Sequence, residues 1–182
     1  MTGIIINLFR NFKRKFYIVK YRLYSVHPTS LVSKNGVIAR DIVIGEHSYI
    51  GPNGNICQNV IIGKYVMLGP NVSITGKDHR YNICGTPMIF SGREKLPKTI
   101  IEDDVWIGTN TVIMAGVKIG FGSIIGAGSI VTKDIPSFQI YAGNPAKKIR
   151  SRFSNAEDEM NHRNMLMDGL FEKEYARGFD CE

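Results

Sequence analysis

One aliphatic residue recurs at every sixth position of this chain. The first run is Val32, Ile38, Ile44, Ile50, Ile56, Ile62, Leu68, Ile74, and a second resumes in a new register at Ile101, Ile107, Ile113, Ile119, Ile125, Val131. The fourth residue after each aliphatic tends to be small or β-branched, as in Ser48, Val60, Val66, Val72, Val105, Thr111, Val117, Ser123 and Ser129. A glycine often follows the aliphatic directly: Gly45, Gly51, Gly63, Gly69, Gly108, Gly120, Gly126. A period of six suits neither a 3.6-residue helix nor the strict alternation of an open sheet. It predicts a short strand and a turn, repeated, with each aliphatic pointing into a narrow interior. The glycine after it is expected to take a turn geometry that a side chain resists. Three hexads close one triangular coil, and stacked coils pair their strands at ~4.8 Å. The fourteen hexads predict between four and five coils.

The two runs are out of step, because the separation of Ile74 from Ile101 is not a multiple of six. Residues 79–98 are therefore expected to leave the prism as a loop, with Asp78-His79 at its root. A long loop in a tight repeat is a functional candidate. Before the repeats, Ile5, Leu8, Phe9, Phe12, Phe16, Val19 and Leu23 have helical spacing, with Arg10, Lys13, Arg14 and Lys20 on other faces. This predicts a helix that packs on and caps the first coil; a basic amphipathic helix also suits an anionic membrane surface. After Phe153, Ser154 and Glu157 form an expected capping box for a C-terminal helix. Met160, Met165, Leu166, Met167, Leu170 and Phe171 are its candidate packing positions, and Gly169 weakens its continuation. The organisation is a basic N-terminal segment over 1–29, a repeat domain over 30–153 and a helical tail over 154–182.

Composition narrows the function classes. The formal net charge is +7, but residues 1–40 hold eight basic side chains and no acidic one, so the remainder is nearly neutral. A basic end on a neutral body predicts a local surface role and no nucleic acid. No apolar run approaches the ~20 residues of a membrane span, and the opening lacks the order of a secretory signal. Cys57, Cys84 and Cys181 are an odd, scattered set that gives no disulfide framework or zinc spacing and fits a reducing cytoplasm. Neither a Walker loop nor a strand–GxGxxG–helix unit is present, so ATP and NAD sites have no support.

The hexads resemble those of the hexapeptide-repeat acyltransferases over roughly residues 30–153. The resemblance implies a mainly β fold: a left-handed parallel β-helix with one extruded loop, flanked here by an N-terminal helical segment and a C-terminal helix. The handedness comes from the resemblance alone, since parallel crossovers are usually right-handed. The "DHRY" segment is similar to the "DH" segment of the family's sugar O-acetyltransferases, which implies His79 as the general base. Imidazole suits that role because its ordinary pKa lies near neutrality. Asp78 is a candidate to hold the imidazole tautomer, though adjacent strand side chains point opposite ways. The family's matching tryptophan implies an active-site place for Trp106, and "YIGPNGNI" implies one for Asn53.

The stretch from Val105 to Phe153 resembles the acetyl-CoA-binding end of the family almost without gaps. It implies coenzyme A contacts at Thr109, Ala127, Thr132, Lys133, Lys147 and Arg150. The basic three suit phosphates; small Ala127 leaves room for a pantetheine arm. The implied function is acetyl-CoA-dependent O-acetylation of a sugar or oligosaccharide, as in a bacterial surface polysaccharide or its lipid-linked precursor. The resemblance further implies direct transfer, without metal, in a homotrimer whose sites lie between subunits. Antibiotic O-acetylation and amino-sugar N-acetylation are the nearest alternatives. A cysteine acyl-enzyme through Cys57 or Cys84 is the rival mechanism. A zinc lyase with the same coil requires three converging histidines, and only His47 and His79 fall in the coil region. A purely structural module leaves the loop and donor block unexplained.

Overall fold

A computed structural model of the chain describes residues 12, 16–76 and 79–169. Short strands wind into successive coils. The first holds β1 (Ser25–Val26), β2 (Leu31–Val32) and β3 (Val37–Ile38); the second holds β4 (Val43–Ile44), β5 (Tyr49–Ile50) and β6 (Asn55–Ile56). The third holds β7 (Val60–Ile62), β8 (Met67–Leu68) and β9 (Ser73–Thr75). The fourth holds β10 (Thr99–Ile101), β11 (Trp106–Ile107) and β12 (Val112–Met114), and the fifth β13 (Lys118–Ile119), β14 (Ile124–Ile125) and β15 (Ile130–Val131). β16 (Gln139–Ala142) begins a sixth, and β17 (Lys147–Ser151) pairs with it antiparallel.

Strands stack parallel into three faces: β1-β4-β7-β10-β13 (first), β2-β5-β8-β11-β14-β16 with β17 at its edge (second), and β3-β6-β9-β12-β15 (third). The architecture is the expected left-handed β-helix. There is more of it than four to five coils. β1 precedes the first counted hexad, and Ile135 bridges to Ile119 after the strict period has ended. The six-residue count sees only coils whose turns have equal length.

The aliphatic column is the core. Val32, Leu68, Ile74, Ile101, Ile107, Ile113, Ile119 and Val131 are fully buried, each side chain worth about 1.5–3 kcal/mol by its removal from water. The small residues of the second column, Val66, Val72, Val105, Thr111, Ser123 and Ser129, are buried beside them. Serine is tolerated there because its hydroxyl finds a turn carbonyl. Ser48 donates to Gly63 O at 2.7 Å and Ser123 to Pro136 O at 2.7 Å.

The glycines do not play the expected part. Gly45, Gly51, Gly63, Gly69, Gly108, Gly120 and Gly126 have no positive φ. The left-handed residue sits three places after the core aliphatic, at Asn35, His47, Asn53, Asn59, Tyr65, Asn71, Asp104 and Asn110, with φ between 55° and 63°. Asparagine and aspartate tolerate that conformation best among side-chain-bearing residues. The glycines are needed instead because successive coils touch. A Cβ at Gly45 would lie 2.6 Å from the carbonyl carbon of Gly63, and one at Gly108 would lie 2.5 Å from Ala127 N.

At the N-terminal end, residues 16–21 are helical. Ile18 and Tyr21 pack against the core and Leu23 is 5% exposed, in keeping with a cap on the first coil. Tyr21 accepts a hydrogen bond from Gly36 N at 2.9 Å. The inward face is not the one expected: Phe12, Phe16 and Val19 are 69%, 51% and 74% exposed. Residues 1–11, including Ile5, Leu8 and Phe9, lie outside the described residues.

Among the described residues, 153–169 belong to a separate compact unit. There α1 (Ala156–Asp168) starts one residue later than the expected box implies. Asn155, not Ser154, is the N-cap: its Oδ1 accepts from Asp158 N at 2.8 Å and its Nδ2 donates to Asp158 Oδ2 at 2.9 Å. The carboxamide both accepts and donates across the first turn, which a serine hydroxyl paired with Glu157 does not improve on. Gly169 ends the helix at φ 66°. No described residue of α1 is buried, and Met160 and Met167 are 58% and 77% exposed.

Candidate active site

The loop opens at the edge where the third face turns into the first. Pairing between coils sets Val43 beside Ile61, and then Ile61 beside Ile100. The second of these steps takes more than twice as much chain as the first, and the excess leaves after β9 and returns at β10. Asn59, on the same edge one coil earlier, donates from Nδ2 to Leu96 O at 3.0 Å. Pro97 packs on Gly116 one coil later, where a Cβ would lie 2.6 Å from Pro97 Cγ. The returning arm is thus clamped between neighbouring turns.

His79 stands just past β9, partly buried. Its Nδ1 is shielded from solvent and has no hydrogen-bond partner among the described residues. Asp78 lies outside the described residues, so its expected orienting role has no geometry here. Just beyond His79 the loop closes on itself. Arg80 N donates to Gly92 O at 3.1 Å. The Ser91 hydroxyl is shared between Arg80 O and Met88 O, the latter at 2.7 Å. From residue 80 to 98, Ser91 is the buried residue, at 8% exposure. Past this neck the tip is exposed, with Tyr81, Met88, Ile89 and Phe90 all largely in solvent.

Trp106 points outward from β11 on the second face and is half exposed. Its register partners are Met67 on β8 and Ile124 on β14, and Met67 in turn pairs with Tyr49 on β5. Tyr49, Met67, Trp106 and Ile124 make one outward column. Sequence reasoning passed over Tyr49 and Met67. Subtracting the inter-coil step from Trp106 leads to them, but only once the length of the inserted loop is known.

Asn53 is elsewhere. It sits in the turn at the edge between the second and third faces, where it donates from Nδ2 to Asn71 Oδ1 at 2.9 Å. Asn71 donates likewise to Asn110 Oδ1 at 2.8 Å. The Asn53 amide donor is committed to a ladder of turns. On that same edge the structure gathers Thr109, Ala127 and Lys147. Gly128 N donates to Thr109 O at 2.8 Å, and Lys147 pairs with Ala142, which caps the column. Thr109 also donates from Oγ1 to Pro70 O at 2.9 Å. Thr132 and Lys133 fall on the other edge, the one that carries His79, two coils further along. Arg150 pairs with Ile140 on the outermost strand of the second face.

Within one chain, then, the candidates divide. His79, Thr132 and Lys133 share the third–first edge. Asn53, Thr109, Ala127 and Lys147 share the second–third edge. Trp106 and Arg150 lie on the second face.

Cys57 sits one coil before the loop, its N–H donating to Ile74 O at 3.0 Å. Burial pushes its thiol pKa up, and the Asp41 carboxylate adds to the effect. A thiol held neutral is a poor nucleophile. Cys84 is exposed in the loop. Among the described residues no group of three His, Cys, Asp or Glu side chains converges. The remaining edge carries ion pairs, Lys64–Glu46 at 3.0 Å and Arg152–Asp104 at 2.5 Å, and neither involves a candidate.

Comparison with known proteins adds to this geometry. The family described as bacterial transferase hexapeptide (six repeats) matches residues 41–76 and 98–133, the two sides of the loop. A chloramphenicol acetyltransferase of Klebsiella aerogenes is 50% identical over 64 residues, 35% of this chain. The chain spans only 30% of the length of that curated relative. A maltose O-acetyltransferase of Clostridium difficile superposes with TM-score 0.65 at 30% identity, over 78% of this chain and 75% of that one. A hexapeptide-repeat-containing acetyltransferase from Vibrio cholerae, solved with acetyl coenzyme A, gives TM-score 0.60 at 28% identity, over 77% and 78%.

Proposed function

The chain belongs to the hexapeptide-repeat acetyltransferases, and on that premise we propose that it moves the acetyl group of acetyl-CoA to a hydroxyl of a sugar. The observation that carries this reading is the partly buried imidazole of His79 at the root of the loop that breaks the coil, its Nδ1 shielded and unpartnered among the described residues. Imidazole is the side chain best suited to take a hydroxyl proton near neutral pH.

In the proposed reaction His79 takes the proton of the acceptor hydroxyl as its oxygen attacks the thioester carbonyl carbon. The tetrahedral intermediate collapses with cleavage of the carbon–sulfur bond. The imidazolium then returns the proton to the departing thiolate of coenzyme A, which leaves as the thiol. Trp106 and its column neighbour Met67 form an apolar wall beside the transferred group. Thr109 and Ala127 line the pantetheine path, small enough for a thin arm to lie along the stacked turns. Lys133, Lys147 and Arg150 meet the phosphates, and Thr132 flanks them.

Thr109, Ala127 and Lys147 occupy a different edge of the prism from His79, while Thr132 and Lys133 share the edge of His79. A pocket between neighbouring copies, one giving the His79 edge and the other the Thr109–Ala127 edge, fits that division. We therefore read the working form as a homotrimer in the cytoplasm, where its acetyl donor is made. Asn53 contributes through its turn ladder more than through the acceptor, since its amide donor is already engaged. The raised thiol pKa of Cys57, from burial, disfavours Cys57 as the nucleophile of an acyl-cysteine route.

A second reading, O-acetylation of an antibiotic, is supported by the identity shared with the chloramphenicol acetyltransferase. Free-thiol release from acetyl-CoA, measured with maltose, galactosides, acidic oligosaccharides, amino sugars and chloramphenicol, separates the readings. His79→Ala is expected to lower turnover by about 10²–10⁴-fold. Retention of turnover in that variant, with loss in Cys84→Ala, would overturn the base assignment.

A further inference from the structure

The N-terminal helical segment has two faces with different fates. Ile18 and Tyr21 are packed against the core, and Leu23 follows them inward. The other side shows Phe12, Phe16 and Val19 at helical spacing, with 69%, 51% and 74% of their surface exposed. Tyr24, just past the segment, is 81% exposed. A helix whose only task is to close the prism has no reason to place two phenylalanines and a valine in water along one stripe.

The charge around this stripe is of one sign. Between Met1 and Tyr24 the sequence carries Arg10, Lys13, Arg14, Lys15, Lys20 and Arg22, and no aspartate or glutamate. Lys20 and Arg22 are exposed. Residues 25–182 hold all sixteen acidic side chains and the remaining seventeen basic ones. The body is therefore nearly neutral while the end bearing the apolar stripe is strongly positive. Among the described residues no helix is long and apolar enough to cross a membrane.

We infer that this face docks on an anionic lipid surface, with Phe12, Phe16 and Val19 entering the interface and the basic side chains facing acidic headgroups. An exposed apolar stripe, with Lys20 and Arg22 exposed nearby and a sequence free of acidic residues as far as Tyr24, suits such a surface through buried apolar area and Coulombic attraction together. A protein partner would have to supply an acidic surface around a groove for three apolar anchors; a bilayer supplies both without a matching shape. The inference deepens the proposed function, on which it rests for one point. A transferase held at a membrane meets glycan acceptors that are themselves lipid-linked, so the acceptor class is a membrane-anchored sugar.

The test is sedimentation of the full chain with vesicles of phosphatidylcholine alone and of phosphatidylcholine with phosphatidylglycerol. The chain is expected to pellet with the anionic vesicles at low salt, to be released at high salt, and to ignore the neutral ones. Phe16→Ser with Val19→Ser, both on the exposed side, is expected to weaken binding by about tenfold or more while leaving the melting temperature in place. Absence of binding to anionic vesicles at low salt, or equal binding by the double variant, sinks the inference. So does a change in oligomeric state of that variant in sedimentation velocity, which would make the stripe an interface between copies. Thiol release with soluble acceptors, run without vesicles, reads the acetyltransferase assignment separately: its absence in the wild-type chain would remove that assignment and leave lipid binding standing.

Discussion

Gly108→Ala tests why the repeat contains glycine. If the residue were there for turn geometry, alanine would cost little, because Gly108 has no positive φ. The structure gives a different expectation. A Cβ at this position would come within 2.5 Å of Ala127 N and 2.8 Å of Ala127 Cα, both backbone atoms of the next coil. Relieving those contacts means parting two coils by roughly 1 Å from the ~4.8 Å strand spacing. That separation strains the bonds that join the two coils, Gly108 N to Ile125 O and Gly128 N to Thr109 O, both at 2.8 Å. Overpacking a tight site costs about 1–3 kcal/mol, and a weakened buried backbone bond adds about 1 kcal/mol or more. The expected loss is therefore about 3 kcal/mol. Gly128→Ala is the matched control. Gly128 is at φ 69° with open space where the Cβ would go, so only conformational strain of about 1–2 kcal/mol applies. Urea unfolding of both variants, followed by circular dichroism at fixed protein concentration, compares them. A Gly108→Ala variant no less stable than Gly128→Ala would refute the close-approach account.

Asn71 is expected to be the most sensitive asparagine, because it both donates to Asn110 and accepts from Asn53 while holding φ 58°. Asn71→Ala should cost about 2 kcal/mol and Asn71→Gly about half of that, since glycine removes the ladder but not the left-handed turn; equal losses would rule out the backbone share. Ser91→Ala frees the loop neck beside His79 and is expected to lower kcat by up to about 10²-fold, with the acetyl-CoA KM and the melting temperature kept and Ser91→Thr restoring turnover. A parallel rise in the acetyl-CoA KM would mean a general loosening instead. In alkylation mapped by mass spectrometry, exposed Cys84 should react more readily at neutral pH than Cys57, whose thiol pKa is raised by burial. The raised folded pKa of Cys57 also has a sign for stability. Its contribution is present below the unfolded thiol pKa and fades as pH rises through the folded one, so a Cys57→Ser variant should show a shallower alkaline loss.

The period of six determined the interior of this protein outright. An aliphatic residue at every sixth position can be buried by every coil only if the chain makes three sides and then returns to the same wall, as it does where Val43 lies beside Ile61. The break between Ile74 and Ile101 likewise located the loop and His79, because an inserted segment has to leave a wall whose pairing is fixed on both sides. What the period could not express is contact between coils. Whether a glycine answers to φ or to a neighbour's backbone is a matter of the 2.5 Å approach between Gly108 and Ala127, which joins two coils and has no trace in a local pattern. The same holds for Asn53, for which likeness implied an active-site place and which hydrogen bonding ties to Asn71 and, through it, to Asn110. Tyr49 and Met67 joined Trp106 only through a register that spans the inserted loop. The N-terminal segment shows the limit most plainly. Spacing marked Phe12, Phe16 and Val19 as one apolar face, correctly, but which side of a helix meets the prism depends on what the first coil offers. There Tyr21 finds the Gly36 amide, and the phenylalanines are left outside.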